Sequence, residues 1–291
     1  MSDTAPSPLE TLSTALADIV ALVSPSVVSV ESKRSRSSGF AWRPNLIVTA
    51  DEALAEEGEV AVAVNGGARH PATIVGRDAS TDVALLRIEG VALPTVTLDT
   101  EPLRVGELAV AVGGNALALF GIVAAAGPSW HSMRGGEIDA RLELDLRLRR
   151  HAEGGLALNA GGSAFGMAVF GPRRRTLVIP AATIDRVAAQ LERNGRIPRG
   201  YLGLGLQPVR AEDDGATGAI IISVDKNGPG ASAGLHQGDV VVSWDGQPLS
   251  DIAALLRGLG PGSVGRSIAL GLRRGGAPLQ LTLTVGERPQ A

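Results

Sequence analysis

Three short stretches of the chain carry acidic side chains in settings where they could do chemistry. "TADE" ends in Glu52, "RDASTD" ends in Asp82, and "HAEGG" places Glu153 before two glycines. A carboxylate can accept a proton as a general base, and clustered carboxylate oxygens can hold a hard cation. Because the chain has no cysteine, thiol chemistry and disulfide bonds are excluded.

Short strands joined by tight turns must position these residues. Segments such as "SVVSVES", "NLIVTA", "EVAVAV" and "VALLRIE" are rich in Val, Leu and Ile, and Gly, Pro, Asn or Asp separates most of the segments of this kind. Many short strands with hardly a helix among them predict a β-sandwich or a β-barrel. "ARLELDLRLRR" alternates apolar and polar residues, which predicts a half-buried strand over residues 140–150. Its apolar face would carry Leu142, Leu144, Leu146 and Leu148.

Two helices flank this β-rich region. "SPLETLSTALADIVALV" predicts a short helix with Ser7 as its N-cap and Glu10 three residues later. "AATIDRVAAQLERNG" predicts a second helix, which Gly195 would cap. Its apolar stripe would consist of Ile184, Val187, Ala188 and Leu191. "GRIPRG" then reads as a linker, and the composition shifts after it.

The C-terminal unit, residues 200–288, resembles a PDZ domain. "RGYLGLGLQPV" looks like the carboxylate-binding loop that leads into the peptide-pairing strand of such domains. "GPGASAGLHQGDVVVSWDGQPLSD" is similar to the Gly- and Ala-rich segment of bacterial PDZ domains that ends in Gly-Asp. This resemblance implies that an extended peptide adds a strand to a sheet edge while backbone N–H groups capture its terminal carboxylate.

The resemblance also implies a set of peptide-binding residues. Leu202, Gly203 and Leu204 would supply the backbone amides, and Arg199 would add charge attraction. A helix lining the groove would contribute three more apolar side chains. The full expected set is Arg199, Tyr201, Leu202, Gly203, Leu204, Ile252, Leu255 and Leu256. Some of these leucines could instead be ordinary core residues, and the sequence leaves open which of them face the groove.

With a PDZ-like unit in place, residues 22–195 resemble the trypsin-fold protease domain of the HtrA (DegP-like) family. "SPSVVSVE", "SGFAWRPNLIVTA", "RDASTDVALLRIE" and "LVIPAATI" are similar to successive strands of that domain. The resemblance implies a mainly β fold: a chymotrypsin/trypsin-like double β-barrel followed by an α/β PDZ domain. A helical segment, residues 1–21, would precede the barrels, and residues 196–199 would link the two domains.

The resemblance also locates the three catalytic positions of a serine protease. A serine hydrolase needs a hydroxyl that attacks, an imidazole that takes its proton and a carboxylate that orients the imidazole. Asp82 matches the family's carboxylate, but Glu52 stands where the histidine belongs and Glu153 where the serine belongs. The chain has four histidines, His70, His131, His151 and His236. Of these, only His151 is close in sequence to one of the three positions, since it lies two residues before Glu153.

The serine position can be aligned in two registers. The ungapped register places Glu153 there and matches the family's later Asn and Gly positions, whereas a shift of seven places Ala160 there and loses these matches. Neither register offers a serine. Ser163 would need a new oxyanion site, and a glutamate acting as base would still lack a nucleophile. We therefore expect the chain to be a pseudoprotease, although the family that it resembles consists of serine endopeptidases.

Three acidic residues in one cleft would also allow a second function, a cation site. Clustered carboxylates raise one another's pKa, and their oxygens can bind a cation. The competing expectation is that Glu52 and Glu153 point to solvent or pair with Arg149, Arg150 or His151. "PRRR" (172–175) is either a solvated loop tip or a site for acidic partners.

The composition limits the partners. The charge of 27 − 30 = −3 gives no support to nucleic-acid binding. No segment is long and apolar enough to span a membrane, and no cofactor is expected. Because no basic residue precedes Lys33 and no secretory leader is visible, the expected location is cytoplasmic, or periplasmic if Met1 starts a trimmed chain.

The sequence thus predicts a scaffold or regulator that binds C-terminal or unfolded peptide segments of proteins through its PDZ domain. Partners would include active protease relatives, and family analogy suggests a homotrimer. The rival functions are an active HtrA-type endopeptidase in protein quality control and a carboxylate cation site in the former active cleft.

Overall fold

The computed structural model of the chain describes residues 6–33, 35–56, 58–64, 67–210 and 217–289. The chain divides into two compact units, the first ending at Ile197 and the second beginning at Pro198. Four α-helices and several 3₁₀ turns accompany the strands in the described residues. The helices are α1 (Pro8–Val23), α2 (Ala181–Asn194), α3 (Pro229–Ser232) and α4 (Ile252–Gly258).

The first unit opens with a closed barrel of six antiparallel strands. Their order around the barrel is β1-β2-β3-β6-β5-β4. Short apolar segments fill the interior, including Val30, Ile47 and Leu86, each fully buried. The strands are β1 (Val27–Ser32), β2 (Ser35–Arg43), β3 (Leu46–Thr49), β4 (Val60–Val64), β5 (Arg69–Asp78) and β6 (Val83–Ile88).

A second closed barrel of six strands follows in the same unit. Its order is β11-β14-β13-β12-β7-β8, and a two-stranded ribbon, β9 with β10, joins β8 to β11 along the chain. The barrel strands are β7 (Leu108–Gly113), β8 (Leu117–Gly127), β11 (Arg141–Asp145), β12 (Gly155–Asn159), β13 (Ala164–Phe170) and β14 (Thr176–Pro180), and the ribbon is β9 (Trp130–His131) and β10 (Glu137–Ile138). The expected double β-barrel is confirmed.

The strand predicted over residues 140–150 is shorter than its alternation suggested. β11 ends at Asp145, although Leu142, Leu144 and Leu148 are all buried. The register of β11 against β8 shifts between Glu143 and Leu144. Leu148 then packs in a small separate cluster, because the chain leaves the sheet to form the 3₁₀ turn Arg150–Ala152.

Both predicted helices of this unit form with the expected caps. At α1, Ser7 and Glu10 make the reciprocal hydrogen bonds of a capping box. In α2, Ile184 and Leu191 are fully buried against the core that the two barrels share. Gly195 ends α2 with a φ of 70°, and its N–H donates to the carbonyl of Leu191.

The second unit is a twisted sheet with two short helices. The sheet order is β16-β17-β18-β20-β21, with β19 paired to β18, and β15 pairs separately with β22. Leu235, Val241, Leu255 and Leu270 lie in its core. The strands are β15 (Gly200–Tyr201), β16 (Leu204–Arg210), β17 (Thr217–Val224), β18 (Val240–Trp244), β19 (Gln247–Pro248), β20 (Ser267–Arg274), β21 (Ala277–Thr284) and β22 (Gly286–Glu287).

Candidate functional site

A buried ion pair holds the turn that carries Glu52. Asp51 is only 4% exposed, and the guanidinium of Arg77 donates to both its carboxylate and its carbonyl oxygen. The same guanidinium donates to the carbonyl of Ala55 at 3.0 Å. Because Arg77 lies near the end of β5, this network ties the turn after β3 to β5, which is two strands away in the barrel. Glu52 itself is exposed on that turn.

A second turn places Asp82 at the start of β6. The carboxylate of Asp78 accepts hydrogen bonds from the hydroxyls of Ser80 and Thr81 at 2.6 and 2.7 Å. Asp82 follows with a φ of 57°, in the left-handed region that aspartate tolerates better than most residues. Oδ1 of Asp82 accepts a hydrogen bond from the backbone N–H of Glu52 at 2.8 Å. The two turns therefore meet at positions 52 and 82.

The carboxyl group of Asp82 resists ionisation. Burial raises its pKa to about 7, the hydrogen bond from Glu52 opposes this shift, and the charges of Glu52, Glu153 and Asp51 add to it. Among the described residues, no histidine or serine side chain forms a hydrogen bond with Asp82. The arrangement therefore lacks an imidazole for this carboxyl group to orient.

Glu153 sits at a tight turn in the second barrel. It follows the 3₁₀ turn Arg150–Ala152, and its carbonyl accepts a hydrogen bond from the N–H of Ser38 at 2.7 Å. Burial raises the pKa of the Glu153 carboxyl, a hydrogen bond with the backbone of Phe170 and the charge of Arg150 oppose this shift, and the charge of Glu52 adds to it. Gly154 follows with a φ of 82°.

The backbone amides of Ala152 and Glu153 donate hydrogen bonds within their own turn, which we call the closed turn. In acyl transfer, the amide of the nucleophilic residue helps to bind the developing oxyanion. Here the N–H of Glu153 donates to the carbonyl of Arg150 at 3.3 Å, and the N–H of Ala152 donates to that of Arg149 at 2.8 Å. In this conformation the amide at position 153 has a partner within its own turn.

Glu52 and Glu153 line one cleft with a volume of about 610 Å³. Cationic side chains also line it, among them Lys33, Arg36 and Arg150. Arg134 lies 3.5 Å from the Glu52 carboxylate, but both side chains are more than half exposed, so this pair adds little stability. In the part of the chain that the structure describes, no group of three or more Asp, Glu or His side chains could hold a metal ion. The cation alternative therefore lacks geometric support.

The predicted loop of the second unit has free amides beside a sheet edge. The carbonyls of Leu202 and Gly203 accept hydrogen bonds from Gly230 and Asp225 at 2.7 and 2.8 Å. Within the described residues, the N–H groups of Leu202 and Gly203 donate no backbone hydrogen bond. The next strand, β16, pairs only with β17 among the described strands, which leaves its other edge open to a peptide.

The remaining residues of the expected peptide site lie in different settings. Leu255 is buried in the core, Ile252 is half-buried, and Leu256 is 54% exposed. The carbonyl of Arg199 accepts a hydrogen bond from Arg288, and the hydroxyl of Tyr201 donates to Asp225 at 3.0 Å. Their roles in peptide binding stay a prediction.

Neither Ser163 nor any of the four histidines, all within the described residues, lines the cleft that contains Glu52 and Glu153. Ser163 is in the turn between β12 and β13, at the end of β12 remote from Glu153, where its carbonyl accepts from Asn159. His70 lies in β5, His131 in β9, and His236 is exposed in the second unit. His151 is exposed on the 3₁₀ turn.

Sequence reasoning missed two residues that shape the cleft. Arg77 acts through Asp51, which lies 26 positions earlier in the chain. The hydroxyl of Ser38 donates to the carbonyl of His151 at 2.5 Å and accepts from the N–H of Gly114, which joins the two barrels beside Glu153. No local pattern marks either contact, because both partners are distant in sequence.

Comparisons with known proteins agree with this architecture. The family model of the trypsin-like peptidase domain matches residues 37–167, and that of the PDZ domain matches residues 200–285. A probable periplasmic serine endoprotease, DegP-like, from Halomonas elongata is 33% identical over 287 residues, which cover 90% of this chain and 58% of the relative. A protein of the same description from Rhizobium meliloti is 30% identical and covers 88% and 54%. The chain belongs to the HtrA/DegP-like family.

Solved structures with this fold cover nearly the whole HtrA-like chain. An HtrA-type protease, AlgW with a decapeptide, superposes with a TM-score of 0.74 at 23% identity and covers 94% of this chain and 99% of its own. The serine endoprotease from Yersinia pestis has a TM-score of 0.75 at 24% identity, with coverage of 94% and 98%. At these identities the likeness establishes the fold.

The matched relatives limit what can be transferred. The chain spans somewhat more than half the length of the curated relatives. These relatives are described as periplasmic, so the cytoplasmic expectation finds no support among them. None of the helices in the described part of the chain combines the length and apolar character that crossing a bilayer requires.

Proposed function

We propose that this HtrA-family chain is a non-catalytic protein that binds peptide segments through its PDZ domain. The observation that carries the proposal is the environment of Asp82, which has Glu52 on one side and Glu153 nearby. In a serine protease these positions must supply a base and a nucleophile. A carboxylate at position 153 cannot form the acyl intermediate that such chemistry requires.

The closed turn at Glu153 also supports this proposal. Its N–H donates to the carbonyl of Arg150 and therefore does not point to an oxyanion. Catalysis would need both a different side chain and a different turn. The peptide-binding part rests on the free amides of Leu202 and Gly203 and on the open edge of β16.

The alternative is an active HtrA-type serine endopeptidase in protein quality control. The observation that favours it is the name of the matched relatives, which are called serine endoproteases. Under this alternative, the alignment of Glu52 and Glu153 with the catalytic positions would be wrong, and another serine would act as the nucleophile.

Hydrolysis of an unfolded, fluorescently labelled protein separates the two functions. Under the proposal, the chain produces no cleavage, and a serine-directed phosphonate labels no residue. Cleavage that the phosphonate stops would establish the alternative. The mass of the labelled peptide would then identify the serine.

A second experiment tests peptide binding. Fluorescence anisotropy with short peptides that end in an apolar residue and a free carboxylate should reveal binding, while the same peptides with an amidated C-terminus should bind at least about tenfold more weakly. Equal affinity for both forms, or no binding to a peptide library, would contradict this part of the proposal.

We further propose the domain bounds 22–195 and 200–288, a periplasmic location and a homotrimer that associates with active protease relatives. The description of the relatives as periplasmic supports the location. Light scattering after size-exclusion chromatography would test the trimer, and fractionation of cells that express the full-length protein would test the location.

A further inference from the structure

The second barrel has an arginine-rich groove outside the expected peptide site. It has a volume of about 610 Å³ and lies between β8, the segment after β11 and the turn between β13 and β14. Four arginines and several apolar side chains line it. We call it the arginine groove and define it by Arg147, Arg149, Arg150, Arg174, Phe120 and Phe170.

In the described part of the chain, the four arginines of this groove form no direct ion pairs, although the charge of Arg150 acts on Glu153 in the adjoining cleft. Two neighbouring arginines, Arg141 and Arg175, do form ion pairs: both contact the carboxylate of Glu143, at 2.6 and 3.1 Å. No acidic residue lines the groove. The groove therefore concentrates positive charge, which Glu153 offsets only in part at Arg150, in a chain whose net charge is −3.

The backbone of the β13–β14 turn is held in an uncommon conformation. Arg173 and Arg174 follow one another with φ values of 57° and 59°, a region that non-glycine residues seldom occupy. The N–H of Gly171 donates to the carbonyl of Arg175 at 2.8 Å and closes the turn. Residues kept in such conformations concentrate at ligand-binding sites. Here the conformation presents Arg174 at the groove, 6.0 Å from the ring centre of Phe170.

The apolar lining indicates what kind of anion would fit. Phe120 is 49% exposed, and Phe170, which is half-buried, lies in the same groove. A guanidinium group binds a carboxylate through two parallel hydrogen bonds. Exposed aromatic rings gain from burial under another apolar group. A ligand that pairs with the guanidinium groups and also covers the two aromatic rings has carboxylates on either side of a hydrophobic side chain.

We propose that the arginine groove binds an acidic peptide segment that carries a hydrophobic residue. This site is separate from the carboxylate-binding loop of the PDZ domain, and it needs no free C-terminus. Arg150 and Arg174 also line the cleft that contains Glu52 and Glu153. Since those glutamates repel carboxylates, the acidic peptide lies on the arginine side of this boundary.

A labelled probe peptide tests the proposal with the full chain. The probe has about twelve residues, in which Asp and Glu surround one central Phe, and its C-terminus is amidated so that the PDZ loop cannot hold it by a carboxylate. Two matched peptides replace the acids by Asn and Gln, or the Phe by Ala. We expect the acidic Phe peptide to bind at least about tenfold more tightly than either, by fluorescence anisotropy.

A charge-matched pair of variants localises the binding. Arg147→Gln/Arg149→Gln removes two exposed groove arginines, while Arg87→Gln/Arg193→Gln removes two exposed arginines elsewhere in the same unit. The groove variant should raise the Kd of the probe about tenfold or more, and the control variant should leave it nearly unchanged. Circular dichroism and thermal melting establish that both variants are folded.

Three results would overturn the proposal. Equal weakening by the two variants would mean that the probe responds only to net charge. Equal affinity for the Phe and Ala peptides would remove the role of Phe120 and Phe170. Binding of inorganic polyphosphate as tight as that of the peptide would show a general polyanion site.

Discussion

Oδ1 of Asp82 accepts a hydrogen bond from the backbone N–H of Glu52, with a distance of 2.8 Å between nitrogen and oxygen. The carbonyl of Asp82 accepts a second bond, from the N–H of Asp51 at 3.3 Å. The chain thus joins the end of β3 to the start of β6 through a half-buried carboxyl group in an acidic environment. That environment raises the pKa of Asp82 to about 7, which makes the group a cost to stability at neutral pH.

The raised pKa of Asp82 predicts a pH-dependent stability. Folded Asp82 keeps its proton up to about pH 7, whereas the unfolded chain loses it near the ordinary value of 3.8. Its favourable contribution is therefore complete below about pH 4 and is lost as the pH rises to about 7. Asp82→Asn keeps an oxygen acceptor and a residue that tolerates positive φ. We expect it to stabilise the chain at pH 8 by up to about 4 kcal/mol, and hardly at pH 4, in urea unfolding.

The matched control for this variant is Asp18→Asn, which removes one exposed carboxyl group from α1. This control variant and the unaltered chain should show the same difference in unfolding free energy between pH 4 and pH 8. If Asp82→Asn also leaves this difference unchanged, the carboxyl of Asp82 is ionised in the folded protein at neutral pH.

Gly154→Ala should strongly destabilise the first unit. An added Cβ would lie 2.3 Å from the carbonyl oxygen of Ser38, and the φ of 82° strains any residue with a side chain. We expect a loss of more than about 2 kcal/mol in unfolding free energy. Gly161→Ala is the control, since its Cβ would meet only the side-chain oxygen of Asn159, at 3.3 Å. Similar losses for both would contradict the tight packing described beside Glu153.

Arg77→Gln should loosen the turn that carries Glu52. Asp51 is nearly fully buried, so removing its cationic partner leaves an uncompensated charge. Because Arg77 is partly exposed, we expect a cost of about 2–4 kcal/mol, somewhat below that of a fully buried pair. Arg104→Gln breaks an exposed pair with Glu107 and should cost less than about 1 kcal/mol. Chemical denaturation of both variants measures the difference, and equal costs would show that Arg77 does not hold this turn.

Gly203→Ala tests the carboxylate-binding loop of the PDZ domain. Gly203 has a φ of 70°, and an added Cβ would lie 3.0 Å from Cα of Gly228. The substitution should shift the free amides and raise the Kd of a peptide with a free C-terminus about tenfold or more. Gly234→Ala has the same backbone strain at a φ of 80° but open space around its Cβ. If it weakens binding as much as Gly203→Ala, the effect is loss of folding rather than loss of the loop.

Local patterns predicted the two helices of the first unit well. The Ser7–Glu10 capping box and the stripe of α2 from Ile184 to Leu191 depend on residues only three or four positions apart. Such neighbours meet in any helix, so the sequence alone specifies them. The double barrel could be predicted because the family resemblance supplied the order of its strands, which periodicity could not.

The parts that sequence reasoning missed depend on distant contacts. The leucine alternation over residues 140–150 is real, but β11 has a register shift after Glu143 and ends at Asp145, and Arg147 beyond it lines the arginine groove. Likewise, nothing in "PRRR" predicts the left-handed conformation of Arg173 and Arg174, because arginine has no preference for it. These features follow from tertiary packing, which overrides local preference.

Glu52→His/Glu153→Ser tests how much of a catalytic frame survives around Asp82. The bond between Asp82 and the backbone at position 52 places its carboxylate beside whatever side chain stands there. The substitution removes the charge of Glu52 and therefore lowers the pKa of Asp82. The ionised Asp82 would then be an anionic partner for the imidazole at position 52. A serine at position 153 would then have a base within reach. We expect the double variant to react with a serine-directed phosphonate and Glu153→Ser alone to react at least about a hundredfold more slowly.

Hydrolysis of an unfolded protein by the double variant should nevertheless remain weak. Its hydroxyl and imidazole would be restored, but the amide at position 153 would still donate to the carbonyl of Arg150. One missing oxyanion donor costs about 10²–10³ in kcat. Labelling by the phosphonate with little turnover would therefore separate the lost side chains from the closed turn. Rapid turnover would mean that the turn opens when substrate binds, and that the side chains at positions 52 and 153 alone keep this chain from cutting.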